Sequence, residues 1–166
     1  MSTFHLAQVN IGLPIEPVES ERLAGFVAML EPINALADAA PGFVWRLQTG
    51  DGDATAVRAF EDERLLMNMS VWESVETFGA FVYGPQHAAV MKQRRQWFVP
   101  MRELYTALWW IPAGAVPTPR DAVHRLDVLR AHGPSADAFT LTRAFPPPDA
   151  GTGAAPTVPE DWTCSV

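Results

Sequence analysis

The stretch LLMNMSVW at 65–72 constrains the fold of this chain more than any other. It reads as a β-strand that is largely apolar on both faces. Leu65, Met67, Met69 and Val71 share one face, and Leu66, Asn68, Ser70 and Trp72 share the other. Such a strand must be covered on both sides, so the chain has to build layers around it. The all-apolar face suits burial against another sheet, and the mixed face suits a layer of helices. An amide, a hydroxyl and an indole in a row on that second face need partners or a ligand. A buried polar group left unpaired costs about 1–3 kcal/mol.

The segments around this strand set the element order. LAQVNIG (6–12) alternates and ends in glycine, which predicts a first strand. Ser20 is placed to cap a helix over 21–39, interrupted by Pro32. FVWRLQT (43–49) predicts a second strand, GDGD (50–53) a turn, and AVRAFED (56–62) an extension of the hairpin into the third strand at 65–74. A short helix is expected in VETFGAFVYG and a longer one over 84–101, with Pro85 near its start. YTALWWIPAG (105–114) predicts a fourth strand, 118–133 a charged surface helix ending at Gly133, and 137–145 a last strand. The order is β-α-β-β-α-β followed by α-β. That is an α+β, ferredoxin-like arrangement with an extra C-terminal helix and strand. One domain over 1–148 is expected, with a flexible Pro-, Gly- and Ala-rich tail over 149–166. The uncovered face of such a sheet is commonly closed by a second copy, so a homodimer forming an α/β barrel is expected.

Composition narrows the functional classes. Hydrophobic residues make up 48%, enough for a folded core. The net charge is −7 and no basic stripe with interleaved aromatics appears beyond KQRRQW, so a nucleic-acid partner is not expected. The apolar runs are too short for a membrane span, the N-terminus carries no secretory pattern, and a cytoplasmic location is the default expectation. The single cysteine, Cys164, offers neither an internal disulfide nor a metal cluster.

The helix over 84–101 carries polar groups on its apolar side. At 100° per residue, Arg94 and Phe98 each fall about 20° from His87, with Met91, Met101, Val90 and Trp97 within about 80°. Arg95 lies at the edge of that stripe. An arginine at the centre of a core-facing stripe is costly unless paired or facing a ligand. Asn34 falls within the apolar stripe of the first helix, and Gln8 and Asn10 alternate with Ala7, Val9 and Ile11 on the first strand. These residues predict a cavity between helices and sheet. Asn68, Ser70, Trp72, His87 and Arg94 line it, with Asn10 and Asn34, and Met91, Trp97 and Phe98 form its walls. A mostly apolar cavity with a few convergent polar groups suits a small-molecule ligand.

The blocks HLAQVNIG, NALADAAPGFVWRLQ, NMSVWES, HAAVMKQRRQWF and ALWWIPAG resemble the bacterial family called domain of unknown function 3291, over residues 4–148. The resemblance implies a dimeric α/β-barrel fold. That superfamily includes cofactor-independent antibiotic-biosynthesis monooxygenases, which oxidise electron-rich phenols or anthrones to quinones. Their pattern is Asn-x-x-x-Trp on the third strand and an arginine on the following helix; Asn68, Trp72 and Arg94 or Arg95 match it. The resemblance therefore implies catalytic roles for Asn68, Trp72 and Arg94, without a cofactor or metal, and the predicted convergence on one cavity adds His87. In that reading Arg94 and Asn68 bind an oxyanion, Trp72 orients the ring and His87 is the base. The haem-degrading members imply an alternative with haem as cofactor, in which Asn10, Trp72 and a haem-ligating His87 take part. A cyclase, an isomerase or a non-catalytic ligand-binding barrel are further alternatives on one scaffold.

Each residue also has a plain structural reading. Trp72 suits a core aromatic, Asn68 and Ser70 suit pairing with neighbouring loops, and His87 suits a structural hydrogen bond. Arg94 suits a buried ion pair with Glu73. Asp121, Arg125, Asp127 and Arg130 read as a solvated helix face, with His124 and His132 facing water.

Overall fold

A computed structural model of the chain describes residues 2–48, 59–151 and 156. The elements are β1 (Phe4–Gly12), α1 (Ala24–Asp38), β2 (Phe43–Arg46), β3 (Leu66–Trp72), α2 (Val75–Val82), α3 (Pro85–Gln93), β4 (Thr106–Pro112) and α4 (Pro119–His132). The four strands form one antiparallel sheet in the order β2-β3-β1-β4. This is the ferredoxin-like order, with α4 added. The expected turn at 50–53 and most of the tail lie outside the described residues.

Local chemistry explains most helix boundaries. The Ser74 hydroxyl accepts from the Thr77 N–H while the Thr77 hydroxyl accepts from the Ser74 N–H, so α2 starts on a reciprocal cap. Thr118 and Asp121 do the same for α4, and Gly133 ends it at φ 73°. Ser20 does not cap: its side chain makes no such bond, and a single 3-10 turn leads into α1 instead. Pro32 stays inside a continuous α1.

Two expected elements are corrected. The helix over 84–101 ends as a 3-10 turn at Gln96. Val99 precedes Pro100 and is biased away from helix, so the chain runs extended there. Val99 N–H donates to the Leu13 carbonyl at 2.8 Å, and Ile15 N–H to that of Trp97 at 2.9 Å. Trp97 and Phe98 are thereby inserted beneath Phe26, with ring centroids 5.9 and 5.0 Å from it. The expected strand over 137–145 reduces to one bridge to the sheet, Phe139 with Leu108, and a local one between Thr140 and Arg143. The chain then turns at 140–143, and Leu141, Ala144 and Phe145 fold back onto the cluster around Phe139. Apolar anchoring, not a ladder, fixes this segment, and the Trp110 indole N–H donates to the Phe145 carbonyl at 2.9 Å.

The sheet separates two layers. On one face Ala7, Val9, Ile11, Met67, Met69, Val71, Ala107 and Trp109 are buried with Ala122, Leu126 and Leu129 of α4. This is the face expected to await a partner sheet; α4 covers it within the chain. The three buried α4 residues lie at i, i+4 and i+7, one stripe of a helix that otherwise reads as charged. Its arginines are not simply solvated: Arg125 donates to the Asp137 carbonyl and Arg130 to the Leu104 carbonyl, each at 2.8 Å. The other face carries α1, α2 and α3. Two apolar clusters sit there, one around Trp72, Phe78 and Phe139, the other around Leu23, Leu66, Trp97 and Phe98. No residue of α1 or α3 is fully buried, whereas α2 buries Val75, Phe78 and Gly79 against this face. No helix among the described residues is long and apolar enough to cross a membrane.

Candidate functional site

Between the two apolar clusters of the helix face lies a polar strip. The register pairs Leu6 with Trp72, Gln8 with Ser70 and Asn10 with Asn68, which sets their side chains side by side on this face. The Gln8 amide N–H group donates to the Asn68 Oδ1 at 2.9 Å and to the Ser70 Oγ at 2.8 Å. The Trp72 Nε1–H donates to the same Ser70 Oγ at 2.9 Å, and Asn10 Nδ2 lies 3.5 Å from the Asn68 Oδ1. Gln8 and Ser70 are buried, Trp72 is 1% exposed, and Asn68 is open to solvent. The Gln8 Oε1 is buried with no partner. Asn10, Asn68, Ser70 and Trp72 are thus joined in one hydrogen-bonded strip, which His87 and Arg94 do not enter. Gln8, which the alternation pattern flagged without selecting, is the residue that joins them.

A line of rings leads from the strip to a cleft. Phe81 stacks on Trp72 with centroids 5.1 Å apart, and His87 lies 5.0 Å from Phe81. His87 and Phe81 help line an open cleft of 540 Å³ between the end of α1 and the α2–α3 turn, walled by Leu36, Ala40 and Ala80. Asn68 and Ser70 do not line it; Phe81 stands between the cleft and the Trp72 end of the strip. The His87 Nδ1 lies 2.9 Å from the Val82 carbonyl oxygen. A carbonyl only accepts, so Nδ1 carries the hydrogen and Nε2 is left as the free lone pair. Burial pulls the His87 pKa below its ordinary value, against the hydrogen bond to Val82, which raises it.

Arg94 is turned inward and Arg95 is exposed. Arg94 does not join the strip. Its guanidinium donates to the Ile11 carbonyl at 3.0 Å and lies 4.9 Å from the Phe98 ring centre and 4.8 Å from that of Tyr105. Burial lowers its pKa, and the Tyr105 hydroxyl group opposes that. No carboxylate of the described residues pairs with it, so the expected ion pair with Glu73 is not formed. Gly12 is required beside it, because a Cβ there would meet Phe98 at 2.7 Å. Trp97 and Phe98 are buried walls of the second cluster. Met91 is 40% exposed, and Asn34 is half-buried with no side-chain hydrogen bond to a described residue. No group of three or more metal-ligating side chains occurs among the described residues.

The model of the family called domain of unknown function 3291 matches residues 5–155. The chain belongs to this family. No curated protein matches it. Among solved structures it is similar to Rv0793 from Mycobacterium tuberculosis, at 11% identity and a TM-score of 0.44, covering 69% of this chain and 99% of that one. It is also similar to NE2512, a protein of unknown function from Nitrosomonas europaea, at 17% identity and a TM-score of 0.42, covering 70% and 96%. At these scores neither likeness carries an argument about activity.

Proposed function

We propose that this member of the family is an enzyme acting on a flat, aromatic or polyketide-like small molecule, monooxygenase-like and without a tightly bound cofactor. One observation carries the reading: an uncharged, hydrogen-bonded strip of Gln8, Asn10, Asn68, Ser70 and Trp72 that runs from the buried sheet face out to solvent at Asn68. A polar set built only to pack would be expected to end inside the protein, whereas this one ends at exposed Asn68. Asn68 and Trp72 are four residues apart, about 13 Å along a strand. A ligand that uses both Asn68 and His87 must span Phe81, which stands between them, and is therefore elongated, as fused rings are.

In this reading Asn68 holds a ring oxygen and the free Nε2 of His87 takes a proton from a ring methylene, leaving an enolate. The enolate passes electrons to O₂; the methylene becomes a carbonyl, and its two hydrogens leave with the second oxygen atom as water. The substrate itself is the reductant. Trp72 acts through Ser70, since it is sealed beneath Phe81. Arg94 is a structural clamp in this reading and not an oxyanion ligand. The proposal includes a homodimer whose contact lies away from the face covered by α4.

The test is oxygen uptake with a hydroxylated anthrone, with the quinone identified by mass spectrometry. Loss of turnover in Asn68→Ala and in His87→Ala is the expected result. Turnover unchanged in both variants overturns the assignment. Haem binding is favoured by one observation, the free His87 Nε2 in an apolar cleft. The other residues of that pattern fit poorly, because Trp72 is buried under Phe81 and neither it nor Asn10 lines the cleft. A Soret band that His87→Ala removes would restore that reading.

A further inference from the structure

We infer that Gln8 is the positioning residue that sets the hydrogen-bonding sense of the strip: it turns the Asn68 amide so that its NH₂ faces outward, and the site therefore selects ligands that present an acceptor oxygen. The inference rests on the strip being the ligand site, as proposed above.

Gln8 is 2% exposed, between Leu6 and the Leu108 side of the sheet, a place where an aliphatic side chain would pack without polar obligations. Its amide N–H group bonds two oxygens at once, the Asn68 Oδ1 and the Ser70 Oγ. Ser70 is itself tied to the Trp72 N–H, so Gln8 is held to the rigid end of the strip and Asn68 hangs from it at the open end. Asn10 also directs a nitrogen at the Asn68 Oδ1. With its oxygen engaged from within, Asn68 has only its two N–H donors left to offer a ligand. The reversed arrangement would bury the Gln8 amide nitrogen where its Oε1 now has no partner. Orphaned buried N–H groups are rarer than under-satisfied carbonyls, which favours the sense described. No ionised side chain belongs to the strip: Arg94 is held at the Ile11 carbonyl. Discrimination there comes from donor and acceptor geometry.

The test uses three flat tricyclic probes of nearly one shape: 9-fluorenone with an acceptor, carbazole with a donor, and fluorene with neither. Affinities are measured by titration calorimetry on the full chain. The expected result is fluorenone bound about tenfold more tightly than fluorene, the effect of one net hydrogen bond, with carbazole no better than fluorene. In Gln8→Leu the Asn68 amide is free to present either end, and the preference for fluorenone over carbazole collapses to about one. In Gln8→Glu at pH 8 the carboxylate draws the Asn68 NH₂ inward, and the preference passes to carbazole. Should the Glu variant not fold, the Leu variant decides alone. Equal affinity of the wild type for all three probes, a preference for carbazole, or a fluorenone-over-carbazole preference that survives in Gln8→Leu overturns the inference and leaves the aromatic-ligand reading standing. Failure of all three to bind overturns that reading, and the inference with it.

Discussion

Leu126→Ala tests whether α4 is the cover of the sheet. Leu126 is fully buried in the middle of the α4 stripe, between Ala122 and Leu129. Buried Leu→Ala changes cost about 2–5 kcal/mol, with the upper range where the surroundings cannot close on the cavity. The cluster around Leu126 includes Ala7, Ala107, Ala122 and Ala138, whose short side chains cannot reach into the space. The sheet backbone beneath is held by ladders on both sides of β1. We therefore expect a loss of about 4 kcal/mol, or about 8–16 °C in Tm for a chain of this size. Urea unfolding followed by circular dichroism measures it, with exposed Asp127→Ala as a control expected within about 0.5 kcal/mol. The melt is repeated over a hundredfold range of protein concentration. A loss below about 1 kcal/mol, together with a midpoint that rises with concentration, would refute the reasoning, because it would mean that a second copy and not α4 covers this face.

Three further outcomes are expected. His87 has a folded pKa below its unfolded value, so between the two values the unfolded chain binds the extra proton; stability falls as pH drops below about 6.5, and His87→Gln removes that component of the pH profile. Arg94→Met loses the hydrogen bond to Ile11 and the contacts with the Phe98 and Tyr105 rings, for a destabilisation of about 1–3 kcal/mol by chemical unfolding, while the probe preference set by Gln8 is unchanged. Thr118→Ala removes the hydroxyl half of the α4 cap, while the backbone N–H at 118 keeps its bond to the Asp121 carboxylate, and lowers stability by about 1 kcal/mol, with earlier hydrogen exchange confined to the first turn of α4.

Particular residues show how far the sequence reached into the site. The period-2 pattern of 65–72 put Asn68, Ser70 and Trp72 on one face, and the structure keeps them there, because strand alternation is a covalent property that tertiary context does not alter. His87 and Arg94 share a helix face in the sequence, yet they do different work. His87 points to a cleft, while Arg94 closes the end of β1. The helical projection gives an angle but not the partner, and the Ile11 carbonyl is 83 residues away. The apolar periodicity places Trp97 and Phe98 on a helix, but Trp97 sits in a turn and Phe98 in a bridge to Pro14; Pro100, two residues on, is the sequence signal for that break. Gln8 was visible only as one polar residue among alternating ones, since its importance depends on its register with Ser70.

By itself, then, the sequence determined which residues alternate, that Gly133 ends the last helix, and the α+β element order that a ferredoxin-like sheet requires. These follow from local geometry: the periods of strand and helix and the backbone freedom of glycine. Only the tertiary structure decided that α4 lies on the Met67–Met69–Val71 face, that Phe139 docks without forming a strand, and that Gln8 gathers Asn68, Ser70 and Trp72 into one network. Those outcomes depend on contacts between distant segments competing for the same surface, and no local pattern records which segment wins.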